Sequence, residues 1–421
     1  METSETAVST IPNRRRETAN FGILWGGHFL SVFSSMVIAP LLPFYMERLG
    51  AEDEASVLLW SGLSLAASPI SAALTAPLWG RLGDLTSRKI MVVRALLGSA
   101  VVLTTMGFAD TPFQLFVLRL FQGALGGVVD AVSAYAASEA KPQEQGRVRG
   151  KLEGAIAAGS MLGPLVGGLL LSVIGYQPLF TLLGVSLGLW TAVSFFGLRE
   201  TRRERASGSA VSSFGMGRQW ILLLGDRKVR LFLLAGIMAN FGIYGLLTVL
   251  PVYVKQLVEE PSHTAVWVGV LQAVNWASVW IASSWWGKRN DRHPIRLNYA
   301  AASILCGLAI LMQTMAPSIA WLIPLRILQG LASSALLQSV FLTVTRSSSV
   351  DQLGFRMGLS RSILFTGQIM GPMASGTLSS LVGASKLFAL HGLAIILSGV
   401  LVWVFGKPKE APKWLRQESG F

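Results

Sequence analysis

A chain of 421 residues that is 52% hydrophobic and only 14% charged, with mean hydropathy +0.54, is too apolar to keep its surface in water as a soluble globule. The formal net charge of +13 would point a soluble protein toward nucleic acid, but in so apolar a chain the placement of the charges decides their meaning. Cys306 is the single cysteine, which excludes an intramolecular disulfide, and His28, His263, His293 and His391 are too scattered to read as a metal cluster. Neither a metal nor a cofactor is expected.

Residues 1–20 are polar and carry Arg14, Arg15 and Arg16; the long apolar run behind them lacks a small-residue cleavage pattern, so it reads as a retained helix. A helix needs roughly 20 apolar residues to cross the hydrocarbon of a bilayer. Twelve runs of that kind follow one another, at 21–46, 57–79, 90–109, 113–136, 152–175 and 178–197, then at 231–254, 264–286, 297–315, 319–343, 361–382 and 386–405. The expectation is an all-α integral membrane protein in five parts: an N-terminal tail (1–20), a six-helix half (21–197), a linker (198–230), a second six-helix half (231–405) and a C-terminal tail (406–421). Ser, Gly and Ala enrich 207–213, between Arg clusters, which marks the linker.

With both termini placed in the cytoplasm, the tails and the even-numbered connections hold 29 of the 35 Lys and Arg residues; only Arg48, Lys255 and Lys386 fall on the other side. Arg94, Arg119 and Arg326 lie within spans. This is the positive-inside pattern, so the basic charge fixes orientation and calls for no nucleic acid. The partners expected are the lipid bilayer, a small organic substrate and protons, with the chain acting as a monomer in a bacterial cytoplasmic (inner) membrane.

Internal repetition is readable directly. Gly80 and Asp84 after helix two recur as Gly287 and Asp291 after helix eight; Leu118 to Gly123 in helix four recurs as Leu325 to Gly330 in helix ten, both at an offset of 207. Gly163 and Pro164 recur as Gly371 and Pro372, and Pro43 and Tyr45 as Pro251 and Tyr253, at 208. Parallel duplication of six-helix halves suits a carrier that rocks around a site between them.

Three stretches carry a family resemblance. The loop after helix two contains Gly80, Asp84, Arg88 and Lys89 in the spacing of a known latch signature, although Leu85 and Ser87 depart from it. Arg119 to Gly123 is similar to a helix-four Arg signature, and Gly159, Gly163, Pro164, Gly167 and Gly168 are similar to the glycine motif of antiporters. From residue 21 to about residue 406 the chain resembles the major facilitator superfamily, in particular its twelve-helix drug:proton antiporter branch. The resemblance implies a conformational latch at Gly80, Asp84, Arg88 and Asp291, proton transfer near Arg119, and antiport. For Arg88 and Lys89 the positive-inside rule is an equal explanation, and for Arg119 so is bracing of helix packing. The glycines cannot bind protons: Ala155, Gly159, Gly163 and Gly167 form a ridge for close helix approach, and Pro164 should bend the helix.

A proton-driven carrier needs a titratable group in its cavity, usually a carboxylate. Asp130 lies 11 residues past Arg119, about three turns or roughly 16 Å along an unbroken helix, which would put both on one face. Glu153 opens helix five, four residues after Arg149. Each acid has a second reading, Asp130 as a helix-end residue facing cytoplasm and Glu153 as a surface ion-pair partner. Neither has an acidic counterpart in the second half, where Gln338 and Arg361 stand.

Candidates for substrate contact are the polar residues His28, Asn240, Tyr244, Gln272, Asn275, Gln338 and Gln368, each also explicable as an interhelical hydrogen bond. Trp267, Trp285 and Trp286 fit interfacial belts, whereas Trp276 and Trp280 fall mid-membrane as an aromatic wall or as lipid-facing filler. Few acids beside Arg119 and Arg326 favour neutral or anionic cargo. The function expected is proton-coupled export of a drug-like compound or of a metabolite such as a siderophore. The alternative is a proton-coupled importer of a sugar or organic acid; the absence of catalytic and phosphate-loop motifs makes an enzyme the weak reading.

Overall fold

In the computed structural model, which describes residues 10–139, 145–200, 223–348 and 353–406, the described chain is helical, with no strand. The tails at 1–9 and 407–421 and the Ser/Gly-rich part of the linker lie outside the described residues. The first half comprises α1 (Thr10–Ile38), which passes through a short 3-10 turn into α2 (Leu42–Arg48), then α3 (Glu54–Leu85), α4 (Arg88–Met106), α5 (Pro112–Leu125), α6 (Val128–Glu139), α7 (Gln145–Ile174) and α8 (Tyr176–Gly197). The second comprises α9 (Arg227–Leu257), α10 (Thr264–Arg292), α11 (Ile295–Gln313), α12 (Ile319–Arg346) and α13 (Leu353–Phe405).

Bilayer hydrocarbon offers no partners to backbone N–H and C=O groups, so helices satisfy them internally and local signals set the ends. Asp53, Ser87, Thr111 and Asp226 cap α3, α4, α5 and α9 by accepting from the first free backbone N–H groups. Gly127, at φ +80°, divides α5 from α6 within the predicted fourth span. Gly383, at φ +72°, divides α13 into the predicted eleventh and twelfth spans. Among the described residues, eleven helices are long and apolar enough to cross a membrane, and the set leaves out 353–380. That segment is helical but carries Arg356, Arg361, Gln368 and several Gly and Ser residues, which lower its hydropathy.

The duplication reappears as repeated hydrogen bonds. Tyr45 Oη donates to the Met106 carbonyl at 2.7 Å, and Tyr253 Oη to the Gln313 carbonyl at 2.8 Å. Trp79 Nε1 donates to the Ala124 carbonyl at 2.6 Å, and Trp286 Nε1 to the Leu331 carbonyl at 2.7 Å. Trp286 is thus a buried strut rather than a member of an interfacial belt, because its indole N–H finds a partner inside the protein.

Within the halves, α1 packs on α7, α3 on α5, α4 on α8, α9 on α13, α10 on α12, and α11 on both α12 and α13. Between them, α3 lies against α13 and α7 against α10. Both crossings need glycine: a Cβ on Gly62 would run into the Pro372 carbonyl, and one on Gly269 into the Pro164 carbonyl. The two pairs are related by the internal repeat, 62 to 269 and 164 to 372. Polar contacts between the halves occupy the same end: Lys255 Nζ bonds both carboxylate oxygens of Glu47 at 2.9 and 2.8 Å, and Ser379 Oγ donates to the Ala55 carbonyl at 3.2 Å. At the opposite end, where the basic loops lie, Glu200 bonds Arg88 and Asp291 pairs with Arg346, each within its own half.

Gly62→Val and Gly269→Val should therefore wedge the halves apart at the Lys255–Glu47 end. In a Cys306→Ala, Ser35→Cys background, an impermeant maleimide applied from that side should label Ser35→Cys severalfold faster than without the wedge.

Candidate transport site

A cavity of about 240 Å³ sits between the halves. Its wall takes Ser31 and Ser35 from α1, Ala39 from the 3-10 turn after it, Leu65 and Ser68 from α3, Arg119, Gln122 and Gly123 from α5, and Gly126 to Val129 across the α5–α6 break. Tyr244 and Leu247 of α9 and Gln368 and Pro372 of α13 close the other side. Among the described residues no Asp or Glu lines it.

Arg119 is the one charged residue in that wall and is 6% exposed. Its Nε donates to the Ser64 carbonyl at 3.1 Å, and its Nη1 donates to the Gln122 side-chain oxygen. An arginine three residues before a glutamine on one helix face supplies its own acceptor, and the repeat supplies the same pair again: Arg326 Nη1 donates to Gln329 Oε1 at 3.2 Å. Gln329 Oε1 also accepts from Gln313 at 2.9 Å, while Arg326 Nε and Nη2 have no partner. Arg326 is 2% exposed and lies outside the cavity, so the two copies have diverged in setting.

Asp130 stands in the first turn of α6 and is exposed, whereas Arg119 is buried. The positive φ of Gly127 interrupts the helix between them, so the continuous-helix argument that placed both on one face fails. Glu153 is exposed on α7; the side chain of its expected partner Arg149 lies outside the described residues.

For the latch residues, Gly80 is exposed near the end of α3, and the Asp84 side chain lies outside the described residues. What is visible is a carboxylate that the sequence reading missed. Glu200, just past α8, accepts from the Arg88 backbone N–H at 3.0 Å and from the Ser87 hydroxyl. A carboxylate at a helix start gains from the dipole and from free N–H groups, and nothing local in the sequence ties residue 200 to residue 88. In the second half Asp291 pairs with Arg346 at 3.4 Å, and Arg346 also donates to the Asn290 carbonyl at 3.2 Å.

The helix-five glycines face two ways. Gly159, Gly163 and Gly167 pack on Phe29, Phe33 and Val37 of α1, while Gly168 meets the Ala265 carbonyl of α10 and Pro164 meets Gly269. The motif therefore sets both the packing of α7 inside its half and its crossing to the other half.

Of the polar substrate candidates, Tyr244 and Gln368 reach the cavity. The others are engaged elsewhere or set back from it. Asn240 Nδ2 donates to the Leu364 carbonyl at 3.0 Å, and Gln338 Nε2 to the Ser283 carbonyl at 3.2 Å, each tying two helices. Gln272 is buried, Asn275 is half-buried with its carbonyl against Gly330, and Trp276 is half-buried; none lines the cavity. Trp280 is 60% exposed, which removes it from an aromatic wall. His28 is 1% exposed, one turn from Ser31 on α1, and neither ring nitrogen has a hydrogen-bond partner. Ser31, Ser35 and Ser68, which the sequence reading passed over, do line the cavity; for α1 the signal was their spacing with His28 on one helical stripe.

Two helical halves enclosing a polar cavity, sealed on one side by small-residue crossings, define a polytopic membrane transporter. The chain belongs to the Major Facilitator Superfamily, whose sequence pattern matches residues 24–297 and 262–420. It is 36% identical over 388 residues to a Staphyloferrin B transporter of Staphylococcus aureus, covering 91% of this chain and 92% of that one. It is 28% identical to the multidrug resistance protein MdtG of Dickeya zeae, covering 91% and 94%. Among solved structures, the nucleoside transporter NupG superposes with a TM-score of 0.75 at 13% identity, covering 92% of this chain and 99% of that one. A bacterial homolog of the human lysosomal transporter Spinster gives 0.72 at 15%, covering 93% and 95%. At these identities the structures attest the fold.

The buried Arg–Gln pairs yield a prediction. Gln329→Leu strips Arg326 of the side chain that accepts its Nη1 hydrogen bond and should lower stability by about 1.5–3 kcal/mol, the usual worth of a hydrogen bond to a charged group, read as a lower unfolding temperature in detergent. Gln122→Leu should also impair transport, because Gln122 is part of the cavity wall.

Proposed function

We propose that this transporter is an exporter. It takes a small organic compound, a drug-like amphipathic molecule or a metabolite such as a siderophore, from the side of the basic loops and releases it on the other side in exchange for protons. By the positive-inside rule the basic loops and both termini are cytoplasmic, in a bacterial cytoplasmic membrane. A single chain suffices, because its own two halves supply both walls of the cavity.

The observation that carries this reading is the cavity between the halves, with an ion pair and glycine contacts joining them at the end away from the basic loops. That asymmetry fits a carrier waiting for cargo on the cytoplasmic side. Support for the cargo class comes from the relatives, one a siderophore transporter by name and one a multidrug resistance protein. In the alternating cycle the Glu47–Lys255 pair must part while the loops after α3 and α10 come together. The latch role of Gly80, Asp84, Arg88 and Asp291 belongs to that second state.

For coupling, Arg119 in the cavity wall and the exposed acids Asp130 and Glu153 are the groups to test. A transport chain reconstituted with a trapped pH-sensitive dye should show proton movement that depends on cargo. Asp130→Asn should abolish that movement, or Glu153→Gln should, with the other variant retaining it. Cargo movement without proton flux in the unaltered protein would replace exchange by uniport, and cargo-dependent accumulation inside whole cells would reverse the direction.

A further inference from the structure

The wall of the cavity is drawn from two facing helical stripes. On α1, Ser31 and Ser35 line it, and His28 continues that stripe one turn toward the basic loops. On α13, Gln368 and Pro372 line it, and Arg361 continues that stripe two turns in the same direction, at the i, i+7 and i+11 spacing of one helix face. The apolar run of the eleventh span starts at residue 361, which puts Arg361 at its edge; the helix begins at Leu353 and carries Arg361 two turns inside.

Arg361 is exposed and, among the described residues, makes no hydrogen bond or ion pair. Its neighbour Arg356 contrasts with it, since Arg356 Nη1 donates to the Ser347 carbonyl at 2.8 Å. Ser31 and Ser35 of α1 and Gln368 and Pro372 of α13 line the same cavity, so the stripes that carry His28 and Arg361 meet across the divide. His28 presents two buried ring nitrogens with nothing to bond. The other ionisable groups around the cavity are Arg119, already engaged by Ser64 and Gln122, and Asp130, exposed on α6 and unpaired with Arg361.

We propose that Arg361 and His28 form an anion subsite at the cytoplasmic mouth of the cavity, which takes a carboxylate group of the cargo and makes this an exporter of carboxylate-bearing organic compounds. The guanidinium supplies a paired set of N–H donors that matches a carboxylate, and the imidazole supplies one more from the opposite half. Because the two groups belong to different halves, the bound anion also bridges them. Closing this end over an empty site would strip water from Arg361 and leave the charge without a partner, whereas a carboxylate supplies one. The subsite rests on the transport reading for its purpose, but not for its binding.

Two measurements separate the two. Citrate binding to the purified full-length protein, by calorimetry, should weaken roughly tenfold or more in Arg361→Gln, weaken less in Arg361→Lys, which keeps the charge but not the paired donors, and weaken in His28→Phe. In liposomes, carboxyfluorescein should be moved and the cation ethidium should not, with Arg361→Gln losing the anion. Size-exclusion profiles and the Arg361→Lys variant control for misfolding. Citrate binding without movement of either dye would keep the subsite and sink the transport reading. Movement of ethidium in place of carboxyfluorescein, absence of citrate binding, or an Arg361→Gln protein with unchanged citrate affinity would overturn the subsite.

Discussion

Helices in lipid gain little hydrophobic advantage by touching one another, so their association depends on how closely the backbones can approach. In this protein that constraint is met by glycine against carbonyl. Gly62 on Pro372 and Gly269 on Pro164 bring α3 to α13 and α7 to α10, while Gly159, Gly163 and Gly167 seat α7 on α1. The same α7 ridge and its proline thus join the interior of one half to its contact with the other. A carrier that rocks needs such a joint: rigid within each half, and free of bulky interlocking side chains where the halves part.

Charge at membrane depth is handled in two ways. Arg119 and Arg326 each carry a glutamine three residues on as a built-in acceptor, so each cation is held by its own helix. A neutral acceptor leaves the positive charge in place while meeting part of its hydrogen-bonding demand. Arg361 has no such arrangement and faces open space, which is what distinguishes a group available to a ligand from one that braces the fold. The cavity is consequently positive, with Arg119 in its wall, no acid beside it, and Arg361 below.

The ends of the bundle are held by different chemistry. Away from the basic loops, a solvent-exposed Lys255–Glu47 pair adds to the glycine crossings. An exposed pair of this kind is worth about 1 kcal/mol or less, which suits a contact that must break on every cycle. At the basic-loop end two carboxylates work within their own halves: Glu200 caps α4, and Asp291 holds Arg346.

The sequence alone determined the class of fold, because lipid permits a chain this apolar little but helices of about 20 residues, and the placement of Lys and Arg carries orientation. It also determined the duplication, since 207 and 208 residue offsets survive in Trp79 and Trp286, and in Tyr45 and Tyr253, as the same hydrogen bonds. The face a residue presents was decided only by tertiary structure. Arg119 and Asp130 share a face on an unbroken helix, but one glycine at positive φ divides α5 from α6 and separates them. Asn240 and Gln338 look like ligand contacts in sequence, yet in the fold they bond neighbouring backbones. Arg361 looks like a loop cation, because hydropathy registers the start of an apolar run and not the start of a helix. Periodicity can say which residues lie together on one helix; which of those faces meets lipid, a neighbour or the cavity depends on how the other helices pack.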